Sequence, residues 1–322
     1  LKASNSAAAD NFGVTAAISG DTVVIGAIYE DGDASSTESS PNDNLSDPGA
    51  AYVFVRSGTS WSQEAYLKAS NAGSHDYFGT SVSISGDTVV IGADHEGGDA
   101  ASTVAAPNDN ATAAGAAYVF VRSGAAWSQQ AYLKASNAEN GDSFGQSVGI
   151  DGETLVVGAH FEDGDASSTA AATNNSALAA GAAYVFTRSG TSWSQQAYLK
   201  ASNAGSDDNF GFSVGISSDV VVVGALYEDG DASSTAAAPN NNSNAAGAAY
   251  AFVRSGASWS QEAYLKASNA GNGDILGYSA AVSGGSLITG AIAEAGNASS
   301  TAAVPNDGAS NAGAAYVFDL GI

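Results

Sequence analysis

From Phe78 to Ser85, the residues Phe78, Thr80, Val82 and Ile84 alternate with Gly79, Ser81, Ser83 and Ser85. A period of two marks a β-strand with one face turned to a core. Ser85-Gly86-Asp87 then breaks the pattern as a tight hairpin turn. Thr88 to Ala93 follows as an almost unbroken apolar run, the pattern of a strand covered on both faces. Ala116 to Arg122 predicts a third strand and Trp127 to Ala135 a fourth, joined by a turn at Ser123-Gly124. The fourth is the most polar, with Gln129, Gln130 and Lys134, as suits an outer edge that resists pairing with other molecules. No stretch of useful length shows a helical period.

This set of strands recurs. The stretch FGTSVSISGDTVVIGA from Phe78 has near-copies starting at Phe12, Phe144, Phe210 and Leu276, each 66 residues from the next. Self-similarity at a fixed period means a repeat architecture. A four-stranded meander of this length predicts an all-β chain: a β-propeller of five blades of about 66 residues, in one domain over 1–322 with repeats 1–66, 67–132, 133–198, 199–264 and 265–322. Leu1-Lys2-Ala3-Ser4-Asn5 matches Leu67 to Asn71, the end of a fourth strand, and Gly313 to Phe318 matches the third strand at Gly115 to Phe120. Leu1 to Asn5 is therefore expected to pair onto Gly313 to Phe318 and close the ring. Pairing onto a neighbouring molecule would instead link copies.

Composition narrows the partners. The chain has no Cys and a net charge of -24, which argues against nucleic acid and anionic membrane surfaces and favours cations or basic partners. No apolar run approaches the roughly 20 residues that span a bilayer, so no membrane insertion is expected. The charge is unevenly placed. Of 33 acidic residues, 25 fall in the connections between second and third strands and before each first strand. In a meander both leave from the same end of the blade, which predicts one very acidic face.

Phe-Gly opening the first strand and Val-Gly-Ala closing the second resemble the FG-GAP repeat of integrin alpha-chain propellers and of many bacterial secreted proteins. The resemblance covers essentially the whole chain. It implies propeller blades, a secreted or cell-surface location and a role in binding or adhesion. Two features depart from it. The proline that usually follows Gly-Ala is replaced by Ile28, Asp94, His160, Leu226 and Ile292. The Asp-rich calcium loop that precedes Val-Gly-Ala in integrins is here a short turn such as Ser19-Gly20-Asp21, so that site does not carry over. Integrin chains also have seven repeats, not five.

The candidate metal ligands lie elsewhere: Glu30, Asp31 and Asp33; Glu96 and Asp99; Glu162, Asp163 and Asp165; and Glu228, Asp229 and Asp231, all after second strands. Asp10, Asp76, Asp142 and Asp208 precede first strands and can join them. Calcium takes 6–8 oxygen ligands, and a Gly between two Asp lets both carboxylates turn to one point. Repeats two and five have lost carboxylates, so weaker sites are expected there. The competing reading is a solvated loop that serves solubility. Trp61, Trp127, Trp193 and Trp259 suit packing between blades, and His75, His95 and His160 suit surface loops. No nucleophile elbow, recurring His or phosphate loop is present, so no enzyme activity is expected. Two functional readings remain: an extracellular binding or adhesion module for a protein or glycan ligand, and a structural subunit of a surface layer or filament, with copies of the chain joined by strand exchange.

Overall fold

The computed structural model describes residues 1–103, 105–169, 174–299, 301 and 306–321. Among these residues the secondary structure is entirely β, arranged as the blades of a β-propeller. The first blade is β1 (Phe12–Ser19), β2 (Thr22–Ala27), β3 (Ala50–Ser57) and β4 (Ser60–Leu67), hydrogen-bonded in chain order. The second is β5 (Ser81–Ser85), β6 (Thr88–Ala93), β7 (Ala116–Ser123) and β8 (Ala126–Leu133). The third is β9 (Phe144–Asp151), β10 (Thr154–Ala159), β11 (Ala182–Ser189) and β12 (Ser192–Leu199), and the fourth β13 (Phe210–Ser217), β14 (Val220–Ala225), β15 (Ala248–Ser255) and β16 (Ser258–Leu265). The last has three strands, β17 (Leu276–Ser283), β18 (Ser286–Ala291) and β19 (Ala314–Asp319). The chain divides into two compact units, Leu1–Val157 with Thr187–Ser194 and Gly158–Phe186 with Gln195–Ile322, a division that cuts through the third repeat.

Within each unit the core lies between consecutive blades. Val24, Val53 and Leu67 of the first blade pack with Phe78, Ile84 and Ile91 of the second. Val222 and Ala251 pack with Leu287 in the same way. The sequence motif is the lock between them. A Cβ on Gly26, the glycine of Val-Gly-Ala's first copy, would stand 2.2 Å from the carbonyl oxygen of Gly79, the glycine of the next Phe-Gly. The Thr15 hydroxyl donates to that same carbonyl at 2.7 Å, as Ser81 does to Gly145 and Ser213 to Gly277. Gly79 itself sits at φ 101°, just before β5, where a side chain is disfavoured. At the last copy a Cβ on Gly290 would meet only Ser279.

Leu1 to Asn5 is assigned no strand, and β19 stands next to β18 in the last sheet. The segment docks on the first blade. Ser4 exchanges hydrogen bonds with Gln63, Asn5 donates to Glu30 at 2.9 Å, and Tyr52 donates to Asn5 at 2.8 Å. Asn71, Asn203 and Asn269 accept from Tyr118, Tyr250 and Tyr316 in the same manner. The Ser-Asn end of the segment is thus a latch onto the blade that follows it, with its polar groups committed there.

Candidate functional site

The glutamate column of the acidic loops is buried. Glu30, Glu96, Glu162, Glu228 and Glu294 are each no more than 3% exposed. A buried carboxylate is tolerated only when charged or polar donors surround it. Glu30 accepts from the Tyr66 hydroxyl at 2.7 Å, the Lys68 ammonium at 2.9 Å, the Asn5 amide at 2.9 Å and the Gly32 N–H at 3.1 Å. Lys68 also donates to the carbonyl of Gly49 at 2.6 Å. The arrangement returns at Glu96 with Tyr132 and Lys134, at Glu162 with Tyr198 and Lys200, and at Glu228 with Tyr264 and Lys266. Burial pulls these four ammonium groups below the ordinary lysine value, and the glutamate opposes the shift. Burial also pushes the Tyr66, Tyr132 and Tyr264 hydroxyls up.

These lysines were expected to guard an outer edge. Their side chains are instead 4–5% exposed. The signal that pairs them was present, since Glu and Lys recur together, 38 residues apart, in every repeat that has a fourth strand.

The aspartates beyond the glutamate shape the loop. Asp33 accepts from the N–H and hydroxyl of Ser35 and from the side-chain amides of Asn42 and Asn44. These donors hold its carboxyl well below the usual carboxylate range, and Asp99, Asp165 and Asp231 behave likewise. Asp31, Asp163 and Asp229 each take a backbone N–H across the loop, from Asp47, Ala179 and Ala245.

The column before the first strands differs again. Asp10, Asp76, Asp142, Asp208 and Asp274 are 4–7% exposed. One oxygen of each accepts a backbone N–H three residues back, from Ala7, Gly73, Glu139, Gly205 and Gly271. Burial pushes Asp76 and Asp208 up to about 7, with the negative charge of Glu96 and Asp109 around Asp76, and of Glu228 and Asp229 around Asp208, adding to the rise. Asp76 opens into a cleft of about 250 Å³ that also exposes Asp109, His95 and Ser74. His95 leans on buried Asp94 at 3.2 Å, which raises its pKa, while the other Asp94 oxygen has no hydrogen-bond partner. His75 and His95 lie at the surface as expected, but His160 is buried at 6% exposure.

Among the described residues no three carboxylate or imidazole side chains gather in one metal cage. The structure brings Asp10 near Glu30, Asp31 and Asp43, and Asp76 near Glu96 and Asp109. It turns the Asp33 column toward its own loop instead. The tryptophans pack between blades: Trp127 donates to Glu64, Trp193 to Gln130 and Trp259 to Gln196, at 2.8–2.9 Å. Arg56, Arg122, Arg188 and Arg254 stack on Trp61, Trp127, Trp193 and Trp259, at 5.3–5.7 Å.

A family model for the FG-GAP repeat matches residues 1–54, 61–120, 127–186, 193–252 and 259–318. No curated protein matches the sequence.

Proposed function

Because the chain belongs to the FG-GAP repeat family, we propose that it is a non-enzymatic binding module that works outside the cell or at its surface, with the acidic loop face as its contact surface. One observation carries this reading. Of the nine Lys and Arg, Lys68, Lys134, Lys200, Lys266 and all four arginines are held in ion pairs, which among the described residues leaves Lys2 alone to set against the loop aspartates. Such a face attracts basic protein surfaces and hard cations, and its reach is limited by salt, with a screening length of about 8 Å at physiological ionic strength. Binding to a surface coated with a lysine-rich protein tests it. Retention should fall steeply as salt rises and should weaken when Asp31, Asp43 and Asp109 are changed to Asn. Retention that ignores both salt and these changes refutes the reading.

Calcium belongs to the same proposal, with a narrower ligand set than the sequence suggested. Glu30 and its copies do not fit, since lysine, tyrosine, amide and backbone donors already occupy their oxygens. Asp76 and Asp109 fit better: Asp76 is a buried carboxylate pushed up to about 7, next to a second acid in an open cleft. A calcium ion there would complete its shell with backbone and amide oxygens and water. Calorimetric titration with calcium, and melting with and without a chelator, tests this. The expected result is measurable heat and a higher melting temperature with calcium, both reduced by Asp76→Asn. No heat and identical melting refute it.

A further inference from the structure

Beneath the acidic loops, one buried carboxyl group holds an amide and an amine side by side. Glu96 is 1% exposed. Its Oε1 accepts from the side-chain amide of Asn71 at 2.9 Å, and its Oε2 from the Lys134 ammonium at 2.8 Å. The Lys134 side chain is itself buried. On the other side of the amide, the buried Tyr118 hydroxyl donates to Oδ1 of Asn71 at 2.9 Å. The same four groups recur at Glu228, which accepts from Asn203 at 3.0 Å and from Lys266 at 2.8 Å, while Tyr250 donates to Asn203 at 2.9 Å. They recur again at Glu30 with Asn5, Lys68 and Tyr52.

An ion pair needs only the lysine and the glutamate. Here an amide is fixed on the same carboxyl group, and each of the four side chains suits one role in amide exchange. Burial pulls the Lys134 ammonium below the ordinary lysine value, with Glu96 opposing the shift. In a buried site, passing one proton from ammonium to carboxylate replaces two charges by two neutral groups and removes their desolvation cost. The amine then carries a free lone pair, the form in which a desolvated lysine is a nucleophile. The Tyr118 O–H polarises the Asn71 carbonyl and faces the oxygen on which negative charge collects during attack. Glu96 touches both nitrogens, so it is placed to move a proton between them. Free amines attack amides very slowly in water, but holding the two groups together gives an effective concentration of about 10⁵–10⁸ M in well-oriented cases.

We propose that the chain cross-links itself, with Nζ of Lys134 attacking Cγ of Asn71 and Nζ of Lys266 attacking Cγ of Asn203, to give side-chain amide bonds. The Nζ–Cγ bond forms and the Cγ–Nδ2 bond breaks. The protonated glutamate gives its proton to Nδ2 and takes one back from Nζ, so ammonia leaves and the carboxyl group ends as it began. No oxidant or other reactant is consumed. Asn71 lies just after β4 and Lys134 just after β8, so the bond ties each blade to the next and restricts the unfolded chain as any covalent cross-link does. This chemistry is independent of the acidic-face reading, because it needs no partner.

Intact mass spectrometry of the full chain, freshly purified and after incubation at neutral pH, tests it. The mass should lie below that of the sequence by one ammonia for each bond formed. Proteolysis should release a branched peptide joining the segment of Asn71 to that of Lys134, and another joining Asn203 to Lys266. Lys134→Arg should abolish the first branched peptide, restore one ammonia to the mass and leave the second branched peptide in place. Glu96→Gln should do the same, although it keeps both the amine and the amide. If Glu96→Gln disturbs folding, the branched peptides of the unaltered chain still decide the question. A chain of full sequence mass overturns the proposal. So does an ammonia deficit with no branched peptide, as ring closure at Asn140-Gly141 would produce.

Discussion

Replacing Lys68 by Met separates two views of the glutamate column. The ammonium sits 2.9 Å from Glu30, and the two side chains are only 5% and 3% exposed. Methionine fills the aliphatic volume but removes the charge, leaving Glu30 buried beside Tyr66, Asn5 and the Gly32 N–H. Breaking one partner out of a buried pair typically costs about 3–5 kcal/mol. Changing Glu30 to Gln in the same protein removes the stranded charge, so the double variant should recover about 2–3 kcal/mol of that loss. Urea denaturation gives the energies. Amide exchange along β2 to β4 shows where they act, because in a repeat array each unit's stability depends mainly on itself and its neighbours. The reasoning fails if Lys68→Met costs less than about 1 kcal/mol, the range of an exposed pair, or if the double variant is no better than the single.

Two further outcomes follow from the geometry. Asp76 and Asp208, pushed up to about 7, bind protons more tightly folded than unfolded. Their contribution to stability is therefore fully present below about pH 4 and is lost as pH rises toward 7. Asp76→Asn should stabilise the chain at pH 8 without calcium, by of the order of 4 kcal/mol at most, with the advantage gone at pH 4; a gain that does not change with pH contradicts this origin. Gly92→Ala should cost about 3 kcal/mol, because its Cβ would fall 1.9 Å from the Gly145 carbonyl. Gly290→Ala, whose Cβ meets only the Ser279 side chain, should cost under about 1 kcal/mol. Equal melting losses in the two variants would show that the blade lock is not what the motif glycine serves.

The strands were legible because alternation reports which face is buried, and the hairpin turns because glycine marks them. Phe78 to Ser85 shows the limit of that reading. Its period predicted a strand throughout, yet the assigned strand begins only at Ser81, after the Phe-Gly backbone has bent to meet Gly26 and Gly49 of the preceding blade. The roles of the acidic residues were less legible. A carboxylate looks the same in sequence whether it faces calcium, caps its own loop as Asp33 does, or lies under a lysine as Glu30 does. What separates these fates is burial, a property of the folded blade. Asp76 is the extreme case: nothing about a single Asp before a Phe-Gly motif announces a carboxyl that titrates near neutrality.

The basic residues explain why so acidic a chain folds. Arg56, Arg122, Arg188 and Arg254 pair with Asp21, Asp87, Glu153 and Asp219 at the turn between first and second strands. Lys68, Lys134, Lys200 and Lys266 pair with the glutamates under the loops. These eight cations thus sit where burial makes an uncompensated carboxylate most costly, away from the loop tips, where water screens repulsion. Most of the net charge of -24 is then carried by groups that are held in place but not neutralised. Raising salt should therefore weaken what the face binds while leaving the blades intact, because the buried pairs lie beyond the reach of mobile ions.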